Sequence, residues 1–212
     1  MTYSPVIYDW KSSIEPVAQL FRAGGLSIAG GMTVGGVYTQ NPEPGGRGEL
    51  FLEFDAFANA NTNLDASWTL SRIMNGNVFR IPLWRPSVQI VSDAALGAIT
   101  TAAITLAAAS GTQSVKANLA PTGQVLKDGH VIGFNTGGFQ FTHIITSISY
   151  DGSNVATMTI NPPLRRALTT SDALQFRPTM LAFCKNPREV ATNYRYGTQT
   201  AFNPVQFVEA MV

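Results

Sequence analysis

Leu126-Lys-Asp-Gly-His-Val-Ile-Gly-Phe134 opens a run of short strands that continues to Arg177 and decides the fold class. Asp128-Gly129 is a turn signal, and the residues after it are apolar and β-branched, which is how a strand start is punctuated. Gly137-Gly138 makes the next break. Phe139, Phe141, Ile144 or Ile145, and Ile148 then mix with Gln140, Thr142, Thr146 and Ser149, as in a half-buried strand. Asp151-Gly-Ser-Asn154 supplies a turn, after which Val155, Thr157 and Thr159 face one way and Ala156, Met158 and Ile160 the other. Asn161-Pro-Pro163 ends that strand, because neither proline can donate to a ladder. Leu164–Leu168, Thr169–Asp172 and Ala173–Phe176 give a turn and a closing strand, so the chain is mainly β.

The bounds agree with a packed β protein. The chain has 212 residues, 45% of them hydrophobic, enough for one ordinary domain or two small ones. Charged residues make up only 13%, about half the usual globular share, which suits an assembly subunit whose surface is covered by neighbours. A net charge of +1 gives no long-range reason to hold duplex nucleic acid or an acidic membrane. Cys184 is the single cysteine and reads as a small buried apolar residue. Met1–Trp10 lacks the pattern of a secretory signal, and the Ala/Thr-rich run 94–109 is too short to span a bilayer, so no membrane anchor is expected.

Upstream of the strand run, Ile14, Val17 and Phe21 have helical spacing that Pro16 interrupts; the segment either packs on its own domain or lies as an arm on a neighbour. The glycine pairs at 24–25, 30–31 and 35–36 match no phosphate loop and read as bulges or tight turns. Residues 41–48 are loop by composition. Glu49–Asp55 alternates strictly, with Leu50, Leu52 and Phe54 opposite Glu49, Phe51, Glu53 and Asp55. Asn61–Asn75 is the one helix, capped by Thr62 or Asn63, striped by Leu64, Trp68 and Ile73 or Met74, and stopped at Gly76. Val78–Trp84, closed by Pro86, reads as an edge strand. Thr179–Cys184 and the stretch 202–212 are further strands, separated by a loop over 185–198.

Chemistry finds little footing. His130 and His143 are the only histidines, and no metal-binding spacing or nucleophile elbow accompanies them. Glu53 and Asp55 point the same way from one strand, which is the minimum for a glycosidase pair, but no sugar cleft is predicted around them. Tyr194-Arg195-Tyr196 suits stacking on a base or sugar and equally a subunit interface. Trp10, Phe21 and Trp84 fall outside any core pattern and join that triplet as candidate interface residues.

Several stretches carry a family resemblance: Leu126-Lys-Asp-Gly-His-Val-Ile, Ile144-Ile-Thr-Ser-Ile-Ser-Tyr-Asp-Gly, Ala156-Thr-Met-Thr-Ile-Asn-Pro-Pro-Leu164 and Ala173-Leu-Gln-Phe176. They resemble the small β-barrel insert of tail proteins from long-tailed bacteriophages and gene transfer agents. Gly24–Gly31, Asn77–Leu83 and the terminal Phe207-Val-Glu-Ala-Met-Val212 are similar to the distal tail, or tail-tip hub, proteins of that group. The resemblance makes Thr100–Leu106 the first barrel strand. It implies a β-sandwich-like domain with one α-helix over residues 1–92 and 178–212, and an inserted small OB-like barrel over 93–177. It further implies a ring, commonly a hexamer, that joins the tail tube to the hub and tip proteins and leaves a passage for DNA. Such a protein is made in the host cytoplasm, resides in the virion, needs no cofactor and is not an enzyme. In that ring Glu49, Glu53 and Asp55 are the candidate channel-facing residues. A carbohydrate-binding module is the alternative, and a glycan-cleaving enzyme a third reading.

Overall fold

The computed structural model describes residues 6–24, 26–32, 38–43, 46–55, 57, 60–83, 90–136, 139–190, 192–195 and 199–210. In chain order the elements are β1 (Ile7–Asp9), β2 (Ala18–Arg22), β3 (Leu26–Met32), β4 (Tyr38–Glu43), β5 (Glu49–Glu53), α1 (Ala60–Met74), β6 (Val78–Pro82) and α2 (Asp93–Leu96). There follow β7 (Thr101–Leu106), β8 (Ser114–Asn118), β9 (Val131–Thr136), β10 (Phe139–Tyr150), β11 (Val155–Asn161) and β12 (Ala173–Gln175). The chain ends with β13 (Thr179–Cys184), β14 (Thr192–Arg195), β15 (Gln199–Phe202) and β16 (Val205–Glu209). The protein is mainly β and folds as two compact units. A sheet unit takes residues 1–22, 49–87 and 179–212; a barrel unit takes 23–48 and 88–178.

In the barrel unit six antiparallel strands close in the order β10-β11-β8-β7-β12-β9. An OB-fold barrel has five. The short β12 is the closing piece, with Ala173 opposite both Ala103 of β7 and Asn135 of β9. The long β10 serves two neighbours in succession, β9 up to Ile144 and β11 from Ile144 onward, with a register shift between Ile145 and Ser147. Between β10 and β11, Asp151 Oδ1 accepts from the Ser153 and Val155 amides, both at 2.8 Å, and Asn154 takes φ 58°. The alternation expected for β11 is present: Ala156, Met158 and Ile160 are buried with Ile132, Phe134 and Phe176. The strand expected from Leu126 starts at Val131 instead, because Lys127–Gly129 turn back with Gly129 at φ 88°. Tyr150 pins that turn by donating to the Leu126 carbonyl at 2.8 Å and accepting from its amide at 3.1 Å.

Residues 23–48, expected in the sandwich-like domain, belong with the barrel. Here β3 and β4 form a hairpin whose register shifts between Ala29 and Met32, at the Gly30-Gly31 pair. Three of the residues expected to loop, Asn41, Pro42 and Glu43, are in β4. At the base of this segment Arg165 donates to the Gly46 carbonyl, and Gly24 sits so close that an added Cβ would collide with the same oxygen.

The sheet unit has the order β1-β6-β13-β16-β5-β2, with β1 parallel to β6 and the remaining pairs antiparallel. β6 is therefore an inner strand and not the edge its proline suggested; Pro82, with no amide to offer, lies at its end. Residues 14–21 do not form a helix, since Ala18–Arg22 pairs along β5. Trp10 and Phe21, expected at a subunit interface, are buried at 7% and 8% exposure. The Trp10 ring stacks 6.0 Å from Phe54 and meets Phe79 and Phe207 edge-on at 5.7 and 5.6 Å, while its Nε1 donates to the Ile14 carbonyl at 2.8 Å. Trp84 and Tyr196 lie outside the described residues; Tyr194 and Arg195 are on β14, within the expected 185–198 loop.

The helix α1 begins one residue earlier than expected and ends as its sequence dictates. Gly76 (φ 71°) donates to the Ile73 carbonyl and Asn77 to that of Arg72, a Schellman closure. Its buried residues are Ala66, Thr69 and Ile73; of the expected stripe Ile73 is buried and Trp68 half-buried, whereas Leu64 and Met74 are exposed. Leu64 is 70% exposed.

Replacing Trp10 by Ala separates the two assignments of this residue. A core position predicts a loss of about 3–5 kcal/mol in urea unfolding of the chain. A surface position predicts less than about 0.5 kcal/mol.

Candidate functional site

The alternation of β5 sends Leu50 and Leu52 into the core and leaves Glu49, Phe51 and Glu53 on the outer face. The three carboxylates expected to form an acidic strip part company there. Glu49 is half-buried and accepts from Lys185 Nζ at 3.1 Å and Gln206 Nε2 at 3.4 Å, with Arg22 Nη1 at 3.9 Å. Two cations therefore offset its charge. Glu53 and Asp55 are exposed further along the strand, so the negative end of β5 is confined to them. On the same face Leu20 of β2 stands opposite Phe51, and the Arg22 guanidinium lies 5.7 Å from the Phe51 ring.

At the other side of the sheet a cluster gathers that the sequence did not single out. Tyr8 of β1 is paired with Phe79 and meets Trp68 of α1 edge-on at 5.4 Å, which brings Trp68 against β1. Arg72 is placed over both rings, 4.9 Å from Tyr8 and 5.6 Å from Trp68, and Lys11 Nζ lies 4.8 Å from Trp68. Each cation–π contact contributes on the order of 0.5–1 kcal/mol at an exposed site. Asp65 accepts from Ser13 at 2.6 Å and sits 3.6 Å from Lys11. Leu64, Trp68 and Arg72 are spaced four apart, so they share one helix stripe, and that spacing was the available signal.

The reactive side chains are set in structural roles. Burial pushes the Cys184 thiol up to about 11, against an opposing hydrogen bond to Asn186, so it is not a thiolate near neutrality. His130 is partly buried, and burial followed by Lys127 lowers its pKa; its Nδ1 accepts from the Lys127 amide at 3.1 Å. His143 is fully enclosed on β10, 5.3 Å from the Phe134 ring. Its Nδ1 is 2.7 Å from the Pro162 carbonyl, which can only accept, so Nδ1 carries the proton. The bare Nε2 has no hydrogen-bond partner among the described residues. No group of three or more His, Cys, Asp or Glu side chains among those residues could hold a metal ion, and no helix there is long and apolar enough to cross a membrane.

Burial, only partly offset by the Pro162 hydrogen bond, lowers the His143 pKa from 6.5 to about 4, with Arg165 acting in the same direction as burial. The unfolded chain therefore takes up this proton first as pH falls. The contribution of His143 to stability is fully present above pH 6.5 and falls by about 3 kcal/mol as pH drops from 6.5 to about 4. His143→Asn keeps a donor for Pro162 and removes the titration. Urea midpoints measured across this window should fall more steeply for the wild type than for His143→Asn, with the His130 contribution common to both. No protein-family model and no curated protein matches this chain.

Proposed function

We propose that this chain is a structural subunit of a phage tail tip: a distal tail protein whose copies form a ring, a hexamer, between the tail tube and the hub and tip proteins. The ring leaves a passage for DNA, resides in the virion after synthesis in the host cytoplasm, and works without a cofactor or a catalytic step. One observation carries the reading. Val6, Ile7, Val17, Leu20, Leu64 and Met74 are all exposed large apolar side chains of the sheet unit, whereas the barrel unit contributes Leu106 alone among the residues whose side chains are described. Single exposed apolar residues are ordinary, but their concentration in one unit marks it as the surface that other subunits cover. Two further features support it. The sheet ends in β1 and β2, each paired on one side only among the described strands, and exposed edges of this kind are covered in stable proteins. The low charge content leaves little to keep such a surface soluble as a free monomer.

Mass photometry of the purified chain should show a closed species of six times the 22.7 kDa chain mass at micromolar concentration. A monomer at every concentration, with no ring on electron micrographs, would overturn the reading.

A further inference from the structure

Resting on the ring reading, the surface chemistry goes further and indicates which parts of the sheet unit meet. Its two sides differ in a complementary way. On the β1 side the stripe Leu64–Trp68–Arg72 presents an exposed leucine, a half-buried indole and a guanidinium held over that indole. On the β2 side Leu20, 52% exposed, stands beside Phe51, and Glu53 follows on the same face. Spacing and sign both match. From Trp68 to Arg72 is four helical residues, about 6 Å along the axis. From Phe51 to Glu53 is two strand residues, about 7 Å. An apolar centre is thus followed by Arg72 on one side and by Glu53 on the other at nearly the same distance; the Arg22 guanidinium beside Phe51 is offset by Glu49, 3.9 Å away.

We propose that the β1 side of one copy docks on the β2 side of the next, with the Leu64–Trp68–Arg72 stripe covering Leu20 and Phe51 and with Arg72 facing Glu53. The two surfaces belong to opposite ends of one sheet, β1 and β2. The contact is therefore head-to-tail: each copy uses both surfaces, and repetition closes a ring where the rotation permits. The same contact covers both apolar surfaces. It also gives Glu53 a role at the interface in place of the passage wall. Glu49 takes no part, being engaged by Lys185 and Arg22.

Charge reversal with complementation tests the contact. In Arg72→Glu both surfaces are acidic, and in Glu53→Arg both are basic. Each variant alone should require at least about tenfold more protein for half-assembly in mass photometry, because every interface then sets like charges together. An equimolar mixture should regain wild-type assembly, since the acidic stripe of one variant meets the basic patch of the other. The restored rings should alternate and contain an even number of subunits. Leu64→Glu serves as a variant that leaves the fold alone, its position being largely exposed, and it should weaken assembly with an unchanged far-ultraviolet circular dichroism spectrum. If the wild type forms rings and the single variants form them equally well, or if the folded variants fail to complement on mixing, this interface is wrong and the ring reading survives. If the wild type is monomeric throughout, the ring reading fails and the interface falls with it.

Discussion

A single helix cannot enclose a six-stranded sheet, and this limit shapes the sheet unit. Five spacings of about 4.8 Å make the sheet some 24 Å wide, while α1, with 15 residues, is about 22 Å long and 10 Å across. It serves one face, where Trp10, Phe54, Phe79 and Phe207 form the aromatic core. The other face keeps Leu20 and Phe51 at the surface, and among the described strands β1 and β2 are each paired on one side only. The barrel unit meets the same problem by closure. With β12 bonded to both β7 and β9 it has no edge, and its interior is filled by its own side chains. Exposed apolar surface accumulates in the unit that could not close.

Legibility in the sequence followed the range of the interactions involved. The β10–β11 hairpin and the alternation of β5 and β11 were readable because a turn residue or a period of two settles each within a few positions. β8 was missed: Ser114-Val-Lys-Ala-Asn118 alternates, but with only a valine and an alanine on its buried side the signal is weak. The helix was found, and its face was read correctly at Ile73 and wrongly at Leu64 for a related reason. Ala66, Thr69 and Ile73 pack inward, and hydrophobicity favoured the larger Leu64 and Met74 on the exposed side. Small side chains are what a helix needs on the face it lays against a sheet.

Long-range pairing was not legible, and the candidate site depended on it. β6 is inner because β13, a hundred residues later, pairs with it; nothing local to Val78–Pro82 says so. Trp10 is a core residue through partners at 54, 79 and 207. The acidic strip was a sound inference from β5 alone, and Glu49 left it because β2 and β13 bring Arg22 and Lys185 alongside. Tyr8, Lys11 and Trp68 show the converse. Trp68 was legible only as part of a helix stripe, Tyr8 and Lys11 carry no signal of their own, and the parallel pairing of β1 with β6 is what brings Tyr8 to α1.

Low charge density has a consequence for specificity. Apolar contact is non-directional and scales with area, so Leu20, Phe51, Leu64 and Trp68 can favour association without fixing its register. Register falls to the few exposed charges, and most of those on the sheet are already engaged within the chain: Asp9 with Arg80, Glu49 with Lys185, Asp65 with Lys11. Such pairs contribute at most about 1 kcal/mol each to folding, yet they withdraw their members from competition for a partner. In the proposed contact Glu53 at one end of the sheet and Arg72 at the other supply the opposite signs. Like charges brought together in a wrong register cost more than an exposed pair gains. A surface poor in charge can therefore still select one mode of assembly, provided the charges it keeps stand beside its apolar patches.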